Sequence, residues 1–217
     1  MRPPTVTHAA PPASILLYSA ARVYLAVAGW KIEGELPPLK KAILIAAPHT
    51  SAWDGPHMLA VAWAFRLRLH WLAKHTLFKG WRGPFMRWLG AIPVDRRAPR
   101  GLVGEVAERI ANADGIILAI APEGTRQRTE HWKSGFYRIA EAADVPILCG
   151  FLDYGRKVGG VGPALVPSGD VRRDMDRIRA FYAEITGLRP DASGVPRLRE
   201  EDEAAATSYD RDANAAE

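Results

Sequence analysis

The amino-acid sequence predicts an α/β fold: a mostly parallel central sheet flanked by helices, with an amphipathic helix at the N-terminus. Three observations lead there. Apolar runs of strand length at residues 42–47 and 115–121 each stop at a proline, as strands covered on both faces do. Segments of helical length separate such runs, so strand and helix alternate along the chain. The length of 217 residues, with 48% hydrophobic and 24% charged, suits one folded domain with a sizeable core.

Taken in order, Pro3, Pro4, Pro11 and Pro12 make residues 1–13 irregular. Residues 14–30 form the longest apolar run. It falls short of the ~20 clean residues a spanning helix needs. Arg22 sits at its middle, where a bilayer centre would cost about 2.5–3.5 kcal/mol. With Arg2 its only upstream base, the run is no signal peptide either. It reads as a helix lying on a membrane surface or packed on the domain, ending at Gly29 and Trp30. Residues 31–189 make the main domain. Strand 42–47 leads to helix 52–67, then to strands 69–74 and 90–95. Helix 101–112 places Val103, Val106, Ala107 and Ile110 on one face. Strand 115–121, helix 133–143, strand 146–152, strand 162–166 and helix 170–186 complete it.

Residues 190–217 carry eight acids against three bases and almost no large apolar side chain, so they read as a disordered acidic tail. The remainder holds 26 bases and 16 acids. That balance points to an anionic partner: nucleic acid, a phospholipid surface or a phosphorylated metabolite. Residues 66–100 concentrate the charge, with nine bases and one acid interleaved with Trp71, Trp81 and Trp88. Such interleaving suits a lipid headgroup layer, or stacking on single-stranded nucleic acid, and is also what a few core tryptophans beside a solvated face would give. One cysteine, Cys149, excludes an internal disulfide and a thiolate zinc cluster and fits a reducing compartment.

Chemistry-bearing residues cluster just after the two best strands, where ligands gather in open α/β sheets. His49 and Asp54 follow the first. Five helical steps would leave them about 140° apart. They meet only if His49 sits on the strand-to-helix turn and Asp54 in the first helical turn. Asp54 then fixes the imidazole tautomer and leaves the other nitrogen free to take a proton. The same residues also read as a capping box, with Ser51 at the N-cap. Pro122, Glu123, Gly124, Thr125 and Arg126 follow the second strand. There Gly124 permits a tight turn, Arg126 can grip a phosphate bidentately and Thr125 can donate a hydrogen bond; a plain surface turn is the alternative.

His-x4-Asp after one strand and Glu-Gly-Thr-Arg after a later one resemble the glycerolipid acyltransferase family, of the 1-acyl-sn-glycerol-3-phosphate acyltransferase type. The segment from Gly90 to Arg96 resembles that family's second motif, and Val145, Pro146 and Ile147 resemble the start of its fourth. Lys133, Ser134 and Gly135 match the basic stretch after the third. Pro48 and Ala121 depart from the residues the family commonly has there.

The resemblance implies transfer of a fatty acyl group from a thioester of coenzyme A or acyl carrier protein. The acceptor would be a hydroxyl of a lysophospholipid or glycerol-phosphate-type molecule. It implies His49 as general base and Asp54 as its partner, with Glu123, Gly124, Thr125 and Arg126 binding acceptor. Arg96 would assist at the phosphate, and Gly90 and Ile92 would shape the acceptor site. Direct attack by the acceptor needs no enzyme nucleophile, and no G-x-S-x-G elbow is present. No resident cofactor or metal is expected, and no metal-ligand spacing appears. An anionic membrane surface is the expected partner and nucleic acid is not. The expected location is peripheral, on the cytoplasmic side of the membrane. The competing expectation is a non-catalytic peripheral membrane-binding protein.

Overall fold

The computed structural model describes residues 14–94 and 99–202. Seven strands form one sheet: β1 (Lys31–Glu33), β2 (Lys41–Ala47), β3 (Leu69–Lys74), β4 (Ala91–Val94), β5 (Ile116–Ile120), β6 (Ile147–Asp153) and β7 (Val158–Leu165). Six α-helices accompany them: α1 (Ile15–Val27), α2 (Asp54–Ala64), α3 (Arg82–Trp88), α4 (Pro99–Ala111), α5 (Gly135–Ala142) and α6 (Val171–Tyr182). The strand order is β1-β7-β6-β2-β5-β3-β4, parallel except where β6 meets β7. This is the predicted α/β architecture.

The side-chain period of two divides β2 between the faces of the sheet. Ile43 and Ile45 pack with Phe136, Tyr137 and Ile139 of α5, Val106 and Ile110 of α4, and Met175 and Ile178 of α6. Ala42 and Leu44 pack on the opposite face with Ala62 of α2 and with Leu67. There Ala60 and Val61 of α2 also meet Ala21 and Leu25 of α1. Burial on both faces explains why β2, β5 and β6 are continuous apolar runs rather than alternating ones.

The predicted N-terminal helix is α1. Ser14 caps it, its side chain accepting the Leu17 amide at 3.2 Å. It turns Ala21 and Leu25 inward and leaves Ile15, Leu16, Val23 and Val27 exposed. Among the described residues no helix is long and apolar enough to cross a membrane.

Three elements differ from the expectation. Strand β1 has three residues, too few for a period, and exists because it pairs with β7. Strand β7 begins four residues early, in the glycine-rich Val158–Leu165 segment of low intrinsic strand propensity; pairing to β6 recruits it. Helix α3 breaks the usual pattern by facing its aromatic residues outward.

The acidic tail was expected to begin at residue 190, yet residues 190–202 return to the domain. The Trp132 amide donates to the Arg197 carbonyl at 2.7 Å, and Leu198 is fully buried. Glu201 accepts the Leu198 amide at 2.6 Å and pairs with Arg179 at 2.7 Å, while His131 meets Asp202 at 2.8 Å. The acids of this stretch are therefore partners of domain residues, which net charge alone could not reveal. Residues 1–13 and 203–217 lie outside the described residues. Leu198→Ala should lower stability by about 2–5 kcal/mol, the range for an emptied core site, as read from the urea midpoint. An unchanged midpoint would mean that this segment contributes nothing to the core.

Candidate functional site

Strand β2 hands the chain through α2 to β3, on one side of the sheet. Strand β5 hands it through α5 to β6, on the other side and across the opposite face. Connections leaving adjacent parallel strands in opposite directions open a crevice at their carboxyl ends. The register sets Ile45 of β2 opposite Ile120 of β5 and Cys149 of β6. The segments following β2 and β5 therefore emerge close together, while β6 runs on to Asp153 beside them.

The first of them carries His49. Its Nδ1 lies 3.1 Å from Asp54 Oδ2, and the same oxygen accepts the Thr50 and Ser51 amides at 2.8 Å each. The other oxygen, Oδ1, accepts the Tyr154 hydroxyl at 2.8 Å. Asp54 orients His49 and accepts the amides of the turn before α2, but Ser51 is not the N-cap the sequence suggested: the N-cap is Trp53, without a side-chain cap bond, and Ser51 Oγ accepts the Trp53 amide at 3.1 Å. Burial disfavours its charge, but the bonds from His49, the Ser51 amide and Tyr154 outweigh this and hold its carboxyl below the ordinary value. Because Asp54 is an anion, the proton between the pair belongs on Nδ1. Nε2, on the far edge of the ring, is the nitrogen left for the cavity that His49 lines.

The second segment carries Glu123, Gly124, Thr125 and Arg126. Glu123 turns inward and its Oε1 accepts the His49 amide at 2.9 Å. Its Oε2 is buried without a partner, and burial pushes its carboxyl upward. Gly124 has φ 65°, and a Cβ there would come 2.7 Å from the Lys133 side chain. The positive φ favours glycine here, and the flexible end of Lys133 passes over this turn. Thr125 Oγ1 accepts the Gln127 amide at 3.3 Å.

Gly124, Thr125, Arg126 and Lys133 line one cavity of about 1290 Å³ together with His49 and Asp54. Away from these polar groups its walls are apolar, including Tyr24 of α1, Met58 and Leu59 of α2, Val103 of α4 and Phe136 of α5. Gly90 and Ile92 stand back from the cavity. Gly90, at φ 97°, directly precedes β4; a Cβ there would strike the Leu69 carbonyl oxygen at 2.1 Å, and Ile92 is buried in the core. Of that predicted block it is Val94 that reaches the cavity wall. Arg96 lies outside the described residues.

Sequence reasoning did not anticipate Tyr154 or give Lys133 a separate role. Lys133 was visible as part of a basic stretch. Tyr154 carried no local signal, being 100 residues from Asp54. His57 belongs to an aromatic cluster with Tyr24, Trp30 and Tyr154 that joins α1 and α2 to the end of β6. Cys149 is buried and its thiol is pushed up to about 12 by desolvation, so it offers no thiolate near neutral pH.

A histidine oriented by a buried carboxylate, an adjoining basic loop and a large, mostly apolar cavity thus meet at the carboxyl ends of the strands of a doubly wound α/β protein. Residues 30–149 match the family model described as Acyltransferase. The chain belongs to the acyltransferase family. It is 30% identical over 113 residues to a 1-acyl-sn-glycerol-3-phosphate acyltransferase of Bacillus subtilis (strain 168), a match covering 51% of this chain and 55% of the relative. The chain therefore spans about half the length of that curated relative. Among solved structures it shares its fold with the 1-acyl-sn-glycerophosphate (LPA) acyltransferase PlsC of Thermotoga maritima. That likeness has a TM-score of 0.53 at 19% identity and covers 75% of this chain and 73% of the other.

Tyr154→Phe should leave Asp54 Oδ1 buried without a donor, which costs about 1–3 kcal/mol. A carboxyl with a lowered folded-state value contributes stability that is full above its ordinary value of 3.8 and is lost as pH falls through the lowered one. The stability gap between wild type and Tyr154→Phe should therefore be widest at neutral pH and shrink on acidification. Denaturant midpoints across that range measure it, and a gap independent of pH would place the effect elsewhere.

Proposed function

We propose that the chain transfers a fatty acyl group from an acyl thioester, of coenzyme A or acyl carrier protein, to a hydroxyl of a lysophospholipid or glycerol-phosphate-type acceptor. What carries this reading is that the His49–Asp54 pair and Arg126 line the same cavity. Nε2 of His49 takes the hydroxyl proton and the acceptor oxygen attacks the thioester carbonyl carbon. Collapse of the tetrahedral adduct breaks the carbon–sulfur bond. The departing sulfur takes the proton back from the imidazolium, giving an ester and a free thiol. Asp54 stabilises the imidazolium between these transfers. A base of this kind contributes about 10²–10⁴-fold, so positioning must supply much of the remainder.

The acceptor phosphate is assigned to Arg126, whose fork matches its geometry. Lys133 beside Gly124 adds a second cation, and Arg96 is the proposed assistant from the segment after β4. Glu123 acts from behind by holding the His49 amide. The apolar walls between α1, α2 and the sheet would take the acyl chain. The proposed reaction requires no resident cofactor or metal.

Such substrates reside in membranes, and two surfaces support contact with an anionic bilayer from the cytoplasmic side. Trp81, Phe85 and Trp88, spaced to share one face of α3 and its start, are 79%, 51% and 55% exposed. Lys79, Arg82 and Arg87 surround them, and residues 55–94 contain no acidic residue. The exposed Ile15, Leu16 and Val27 of α1 form the second surface. Amphipathic indoles with nearby cations favour the interface between headgroups and acyl chains.

His49→Ala should abolish thiol release from acyl-CoA in the presence of a lysolipid while circular dichroism stays native. Arg126→Lys should raise the acceptor KM more than it lowers stability. Equal turnover by His49→Ala and wild type would remove His49 as the base, and an unchanged acceptor KM would remove Arg126 from the phosphate. If wild type binds vesicles yet transfers to no lysolipid, the binding-only reading stands instead.

Replacing Trp81, Phe85 and Trp88 together by alanine should release the protein from phosphatidylglycerol-containing vesicles in a sedimentation assay. Wild type should bind these more strongly than pure phosphatidylcholine vesicles. Undiminished sedimentation of the folded variant would mean that α3 is not the contact.

A further inference from the structure

The turn bearing His49 and the loop bearing Arg126 are joined by a segment outside the residues that match the family. Thr186 accepts the Tyr154 amide at 2.8 Å, which anchors the segment beside the residue that holds Asp54. Gly187 lies directly against Thr50: a Cβ there would come within 2.8 Å of the Thr50 side chain. The Arg189 amide donates to Thr50 Oγ1 at 3.2 Å. Its guanidinium then reaches both loops. Nε donates to the Thr50 carbonyl at 2.7 Å, Nη2 donates to the same carbonyl, and Nη2 also donates to the Arg126 carbonyl at 3.0 Å. Thr50 is 1% exposed, so its carbonyl has little access to water as a substitute.

We propose that Arg189 is a positioning residue that clamps the base-bearing turn to the acceptor loop. The rigid, planar fork is what allows one side chain to span two carbonyls from separate strand ends. Its consequence is specific. In the acyl-transfer reading, on which the kinetic part of this inference rests, the acceptor bridges the two loops, with its hydroxyl at His49 and its phosphate at Arg126. Arg189 then sets the span that the acceptor must fit. The thioester donor does not bridge the two loops and should be largely indifferent to the clamp.

Two variants test this. Arg189→Met removes the donors and keeps an apolar stem. Arg189→Lys keeps a charge that can serve one carbonyl without the fork. In Arg189→Met, amide hydrogen exchange should speed up on the order of tenfold in both 49–51 and 124–127 while β2 and β5 stay protected. The kcat should fall on the order of ten- to a hundredfold and the acceptor KM should rise, with the donor KM within about twofold; Arg189→Lys should be intermediate. Exchange that changes in neither loop, or in only one, overturns the clamp. So does a matched rise of donor and acceptor KM in Arg189→Lys together with a lowered thermal midpoint, since that is general loosening. Should Arg189→Met fail to fold, Arg189→Lys carries the test alone. If wild type shows no acyl transfer, the functional reading fails and the exchange result by itself decides the clamp.

Discussion

The site depends on keeping one carboxylate charged inside the protein. Asp54 is 4% exposed, and a buried charge is tolerated only when its oxygens are well supplied with donors. Four donors converge on it: the Thr50 and Ser51 amides, His49 Nδ1 and the Tyr154 hydroxyl. Each dictates a piece of structure. The two amides define the turn after β2. The histidine bond fixes the ring that faces the cavity. The tyrosine bond ties the turn to the far end of β6. Glu123 is the contrasting case, with one oxygen bonded to the His49 amide and the other bare. Burial pushes Glu123 upward while hydrogen bonds pull Asp54 downward, and the charge of Asp54 itself adds to the rise at Glu123. Two carboxylates on one histidine thus receive different tasks: Asp54 as the permanent anion on the ring, Glu123 as a backbone anchor.

The grouping of the candidate site was legible in the sequence because it sits where local pattern is strongest. Strands β2 and β5 announce themselves as apolar runs ended by proline, and the residues proposed to act follow directly. His49 with Asp54 and Gly124 with Arg126 are short-range arrangements, so spacing sufficed to pair them. The capping-box reading of Ser51 and Asp54 holds only by half: Asp54 Oδ2 accepts the Ser51 amide beside the His49 bond, but the N-cap of α2 is Trp53. What local pattern could not show are contacts across long sequence separations. Tyr154 reaches Asp54 over 100 residues and Arg189 reaches Thr50 over 139. Neither residue lies in a periodic or motif-like context that would single it out. Strand β1 is invisible for the same reason, since its three residues are strand only because β7 lies beside them.

Composition misled in one place and informed in another, and the difference is instructive. The acids of residues 190–202 look like a solvated tail until their partners are seen: Arg179 for Glu201, His131 for Asp202. A net charge counts residues without their neighbours. The basic, tryptophan-containing stretch is read instead from an absence: no acid occurs in residues 55–94. Of its tryptophans, Trp81 and Trp88 are exposed and Trp71 is half-buried. Helix α3 carries apolar side chains outward, the reverse of a helix built to cover a core.

These features divide the labour between two parts of the sequence. The family-matched region, residues 30–149, contains every group assigned a direct part in the proposed reaction. Further groups that hold those residues in place come after it, from Tyr154 and from the segment ending at Arg189. The separation follows from topology. Strands β2 and β5 can present reactive side chains at their carboxyl ends, but parallel neighbours place those ends side by side without fixing the angle between the loops that follow. An element arriving from outside the pair has to do that. Here it is the chain returning after α6, which passes over Thr50 and reaches Arg126. Chains that share the motifs can therefore present the same reactive groups at different spans, and the span is what an acceptor with a hydroxyl at one end and a phosphate at the other would measure.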